Sequence, residues 1–157
     1  MNRGKYDTRI FAAVESRNAN DNALRCPSAQ PEMTDSRILG VIGGSVTRPE
    51  VLYLDESLPV TEELLATAAT VQPTEVFRFS ARCDEGACRH YAAGRCKLAT
   101  RVVRILPEVT DVLPKCVIRQ TCRWYGQEGR AACFRCPQVV TLQYQFSDEF
   151  RRVAEGE

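Results

Sequence analysis

Seven of the eight cysteines and the single histidine of this 157-residue chain fall between positions 83 and 136. Their spacing is Cys83-x4-Cys88-x-His90-x5-Cys96, then nineteen residues, then Cys116-x5-Cys122-x10-Cys133-x2-Cys136. Thiolates and imidazole are the donors that zinc and iron–sulfur clusters take. Eight such donors fill two four-ligand sites. In chain order the first is Cys83, Cys88, His90 and Cys96, and the second is Cys116, Cys122, Cys133 and Cys136. An interleaved pairing, or one metal site with a few structural thiols left over, satisfies the same spacing. A lone histidine also serves as a surface or hydrogen-bonded residue, so His90 is the least specific member. Cys26 stands apart in a polar segment before Pro27 and is left outside both sites.

Other uses of the thiols fit less well. A free cysteine is a good small core residue, but seven within 54 positions exceed what packing asks for. Disulfides belong to oxidising compartments, and the N-terminal stretch has no secretory pattern: its apolar patch runs only from Ile10 to Val14 before Glu15. No apolar run reaches the length of a membrane span. The expectation is a cytoplasmic protein whose cysteines hold metal.

The gaps bear on which metal. Zinc knuckles bring ligands in close pairs, and only Cys133-x2-Cys136 has that form. A cluster is larger than one ion and accepts thiolates from more widely separated loops and helix ends. The Cys136-Pro137 step echoes the cysteine-proline that closes bacterial ferredoxin motifs, although the full ferredoxin run is absent. One or two [4Fe–4S] clusters on Cys83, Cys88, Cys96, Cys116, Cys122, Cys133 and Cys136 are therefore expected, with zinc as the alternative. The stretch C-R-W-x2-Q-E-G-x2-A-C-x-R-C-P-Q, Cys122 to Gln138, resembles a family of small uncharacterised cysteine-rich bacterial proteins. That resemblance covers the cysteine half of the chain and implies no function.

Positive charge shares this region. From Arg78 to Arg135 twelve basic residues face five acidic ones, a net of +7 in a chain whose overall charge is +1. Arg82, Arg89, Arg95, Lys97, Arg123 and Arg135 lie near thiols in sequence, where cations stabilise an anionic cluster and raise its potential. Trp124, Tyr125 and Phe134 suit either a shield around the site or ordinary core packing.

Three functions compete. The first is an iron–sulfur protein acting in electron transfer or as an accessory component of a larger redox system, its basic face docking an acidic protein or redox enzyme. The second is a zinc-stabilised module that binds nucleic acid or protein through that face. The third is an enzyme with a cysteine nucleophile. It is the poorest, because His90 is the sole imidazole and no third group is placed to orient it. No reaction is named by the sequence, and no membrane partner is expected.

The elements that must position these residues come from apolar periodicity. Residues 1–36 read as a polar, disordered tail with a short helix near 11–17. Residues 37–146 read as one globular domain whose cysteine-rich half spans 77–140, and residues 147–157 as a charged tail. "RILGVIGGSV" and "PEVLYLDESLPV" read as strands, the first ending in a plain Gly43-Gly44 turn rather than a phosphate loop. "TEELLATAATV" reads as a helix capped by Thr61, "EVFRFSARC" as a strand, and "CKLATRVVRIL" as a helix stopped by Pro107. "EVTDVL" predicts one further turn, and 138–146 a last strand. The fold class expected is α+β: a small, irregular, metal-stabilised domain with short strands and two or three short helices.

Overall fold

The computed structural model of the chain describes residues 23–68, 70–141 and 147–156. It is an α+β fold built on a four-stranded antiparallel sheet. The strands are β1 (Arg25–Ala29), β2 (Arg37–Gly44), β3 (Pro49–Pro59) and β4 (Phe77–Arg82), in the order β1-β4-β2-β3. β2 and β3 form a hairpin in which Gly43 pairs with Glu50 and Gly44 with Pro49. Gly44 has φ +77°, and a Cβ there would stand 2.3 Å from the Arg48 carbonyl oxygen, so the turn requires glycine. The glycine-rich run is thus strand and turn, as its pattern predicts.

One face of the sheet packs under α1 (Glu62–Ala66) and α2 (Pro73–Val76). Its core holds Ala29, Ile38, Ala68, Phe77, Phe79 and Ala81, with Leu64 and Leu65 of α1 against it. Thr61 caps α1, its side chain accepting from Leu64 N at 3.2 Å. Such a cap stabilises a helix by about 1 kcal/mol.

The other face packs against the cysteine-rich half. There Leu39, with Tyr53 beside it, meets α3 (Lys97–Ile105), α4 (Arg123–Glu128) and α5 (Arg130–Cys133) around Trp124, Val102, Ile118 and Ala132. β4 lies between the two layers. Phe77, Phe79 and Ala81 serve the first core, while Arg78 and Ser80, both fully buried, are the alternate residues. α3 buries Ala99 and Val102 along its inner stripe, and Leu106 just past its end is buried too. A two-stranded ribbon, β5 (Tyr91–Ala92) with β6 (Arg95–Cys96), leads into α3.

Several expectations change. Residues 25–29, read as part of the N-terminal tail, form β1 and pair with β4, Cys26 opposite Ala81. Residues 148–155, read as charged tail, form α6 (Asp148–Glu155), which buries Val153 and packs on α3. Glu108 to Leu113 form no helical turn, because Pro107 and Pro114 bracket a stretch whose Val109 and Val112 stay exposed. Gln138 closes a short 3₁₀ turn over Cys136–Gln138, and Val139 and Val140 are buried without strand pairing. The rest of that predicted strand, 142–146, and the predicted helix at 11–17 lie outside the described residues. Six short helices stand among the described residues, because Gly129, at φ +67°, breaks what would be one helix into α4 and α5.

Candidate functional site

The cysteines sort into two sets, each lining a cavity to which Trp124 also contributes. Cys26, Cys83, Cys88 and Cys96 line a cavity of about 290 Å³. Four separate pieces of chain deliver them. Cys26 comes from edge strand β1. Cys83 follows β4, tied back to β1 by its N–H donating to the Leu24 carbonyl at 2.9 Å. Cys88 follows a 3₁₀ turn over Glu85–Ala87. Cys96 caps α3, its Sγ accepting from Ala99 N at 3.4 Å. The Cys26 thiol feels those of Cys96 and Cys83 electrostatically, and Cys96 feels those of Cys83 and Cys88.

Cys116, Cys122, Cys133 and Cys136 line a second, tighter cavity walled by Pro27, Leu39, Tyr53, Trp124 and Tyr125. The thiols of Cys116, Cys122 and Cys133 each feel that of Cys136. Cys122 opens α4, Cys133 ends α5, and Cys136 starts the Pro137 turn. This second set is the one expected from chain order.

The first set differs from expectation in one member. Cys26, left aside by its sequence distance, stands with Cys83, Cys88 and Cys96. His90 lines the same cavity, but its Nδ1 accepts from Arg101 Nη2 at 2.9 Å. Burial pushes the imidazole down to about 4, and Arg89 and Arg101 beside it act in the same direction, so it is neutral at physiological pH. The signal that pointed to Cys26 was Cys26-Pro27, the same dipeptide as Cys136-Pro137.

Every one of the eight cysteines is an unbridged thiol. Burial pushes Cys26 and Cys122 up to about 12 and raises Cys96, Cys116 and Cys133 as well. A nucleophilic cysteine needs the opposite shift, toward thiolate at neutral pH. Thiols of this kind ionise when a cation takes them as ligands. Among the described residues, no three His, Cys, Asp or Glu side chains are arranged as ligands around a single ion. The four cysteines of each set line one cavity.

Guanidinium groups stand near sulfurs of both sets. Arg78 Nη2 donates to Cys136 Sγ at 3.1 Å. Arg123 lines the first cavity with Cys83 and pairs with Glu85 at 2.5 Å. Arg119 lines the second cavity with Cys133, where its charge favours the thiolate. Tyr53 stands beside Cys136 in the same cavity. Among the described residues, three buried side-chain donors lack a partner: Arg119 Nε, Arg123 Nε and Trp124 Nε1. Two belong to arginines that each line one cavity, and the third belongs to the residue that lines both. An orphaned buried N–H costs about 1–3 kcal/mol. An anionic group within each cavity fits this donor set.

The basic segment is therefore not one solvated face. Arg78 is wholly buried, and Arg95, Arg123 and Arg135 are paired with Glu128, Glu85 and Glu108. Arg89, Lys115 and Arg130 remain among its exposed cations. No helix among the described residues is long and apolar enough to cross a membrane. No known protein family, curated protein or solved structure matches this chain.

Proposed function

We propose that the chain is an iron–sulfur protein that carries two [4Fe–4S] clusters and serves in electron transfer, alone or within a larger redox system. The observation that carries this reading is the pairing of two four-cysteine cavities with arginines that line each, one further guanidinium donating to the Cys136 sulfur. Cys26, Cys83, Cys88 and Cys96 hold one cluster, and Cys116, Cys122, Cys133 and Cys136 the other. His90 stands beside the first set and keeps its bond to Arg101. A cluster on four thiolates carries net negative charge, and buried guanidinium and indole N–H donors stabilise it and raise its potential. The clusters supply one-electron chemistry. The protein supplies the sulfur ligands, the donors and an apolar wall that excludes water. Exposed cations such as Arg89 and Arg130 suit an acidic protein partner.

Protein purified without oxygen is expected to be brown, to hold about eight iron and eight sulfide per chain, and to bleach with dithionite. Colourless protein with stoichiometric zinc would overturn this reading and leave a zinc-stabilised binding module in its place.

A further inference from the structure

Arg78 stands between the two sites, bonded to a cysteine of the second and to the residue after Cys26 of the first. Its Nε donates to the carbonyl of Pro27, the residue after Cys26 of the first set. Its Nη1 donates to the carbonyls of Val139 at 2.6 Å and Cys136 at 3.1 Å. Its Nη2 donates to the Cys136 sulfur of the second set at 3.1 Å. The guanidinium also lies over the Trp124 ring, 5.8 Å from its centroid, and Trp124 walls both cavities. Arg78 is 0 % exposed, and among the described residues no carboxylate pairs with it. Guanidinium keeps its proton in proteins. A cation held in the dry interior costs several kcal/mol unless negative charge stands near it. Its partners are three backbone carbonyls, the Cys136 sulfur and the Trp124 ring, so ionised thiolates are the negative charge that would balance it.

We propose that Arg78 is a shared counter-cation that raises the reduction potentials of the two sites. The proposal rests on the iron–sulfur reading above. Uptake of one electron from a one-electron reductant adds one negative charge to a centre and makes or breaks no bond. Arg78 stabilises that charge at either site. Its direct bond to Cys136 makes the second site the stronger beneficiary. The fork geometry matters as much as the charge, because an ammonium cannot reach Pro27, Val139 and Cys136 together.

The test is an anaerobic dithionite titration of the full chain followed by electron paramagnetic resonance, after iron and sulfide have been counted. Two reduction steps are expected in the wild type. In Arg78→Gln both are expected to move to lower potential, the second-site signal further than the first. A Cys136→Ser variant identifies the second-site signal. Arg78→Lys decides the matter if Arg78→Gln loads poorly: with one ammonium, one potential is expected to stay near its place while the other falls. Two unchanged potentials in a variant that loads fully would overturn the proposal. Loss of iron from both sites in both variants would also overturn it, because Arg78 would then be a folding residue. A wild type without iron and sulfide would instead refute the iron–sulfur reading itself, which keeps the two failures distinct.

Discussion

Cys26 on β1 and Cys96 at the head of α3 line one cavity, although seventy positions separate them in the chain. The sheet order makes this happen. β1 pairs with β4, and β4 runs straight into Cys83, so the N-terminal cysteine is carried to the later ones. Cys26→Ser is expected to lower iron and sulfide to roughly half of the wild-type content, with the second-site signal retained. Iron analysis with paramagnetic resonance checks it. Full metal content in Cys26→Ser would remove this cysteine from the ligand set.

Gln127 holds Cys96 in place from α4. Its Oε1 accepts from Cys96 N at 2.8 Å, and its Nε2 donates to Cys96 O at 2.9 Å. The same amide reaches Glu128, which accepts from Thr100 and pairs with Arg95. Gln127→Ala strands the Cys96 amide at the start of α3. A loss of about 1–3 kcal/mol is expected from urea unfolding of the metal-loaded protein. The first site is expected to lose iron to chelator faster than the second. Equal rates at the two sites would mean that Gln127 supports the fold without regard to either one.

Trp124 is 1 % exposed and contributes to both cavities. Trp124→Ala removes the largest side chain of the core between them, and a cost of about 3–5 kcal/mol is expected. Trp124→Phe keeps most of the packing and removes the unpartnered Nε1 donor. It is therefore expected to fold with a small loss of stability but with displaced reduction potentials. Thermal unfolding and a dithionite titration separate the two effects. A Phe variant with wild-type potentials would show that the indole N–H faces no charge.

Metal removal should open the cysteine-rich half and spare the sheet. Arg89, Arg95 and Arg130 are exposed, whereas Arg123 and Arg135 are held by Glu85 and by the Leu106 carbonyl. Limited trypsin digestion of the loaded protein is expected to cut at exposed arginines and lysines only, Lys115 among them. After anaerobic chelation, new cuts at Arg123 and Arg135 are expected, while α1 and the β2–β3 hairpin stay intact. Mass spectrometry of the fragments reads the result. Identical digests with and without chelator would show that the thiol sites do not support this half of the fold.

The elements with clean periodicity were legible in the sequence. β2, β3, β4, α1 and α3 fall where alternation, a Thr61 cap and an apolar stripe place them. The second cysteine set was legible because its four members lie within twenty-one positions. β1 was not, since "RCPSA" is five residues with a proline, and its strand character comes from pairing with β4. Membership of Cys26 in the first set is likewise a property of topology. Arg78 carried no warning at all. It alternates with Phe77 and Phe79 as a solvent-facing strand residue does, but the cysteine-rich layer covers that face and turns the position inward.

The strand order also fixes a timetable for synthesis. The β2–β3 hairpin is local and can close as soon as it leaves the ribosome, whereas β1 must wait for β4 to emerge. The second cavity is assembled from Cys116 onward, yet Pro27, Leu39 and Tyr53 wall it from the sheet. Residues made early thus line a site that is completed late. The second pocket cannot exist before Cys136 has been made, so any ligand of it would meet a chain in which the whole sheet is already present.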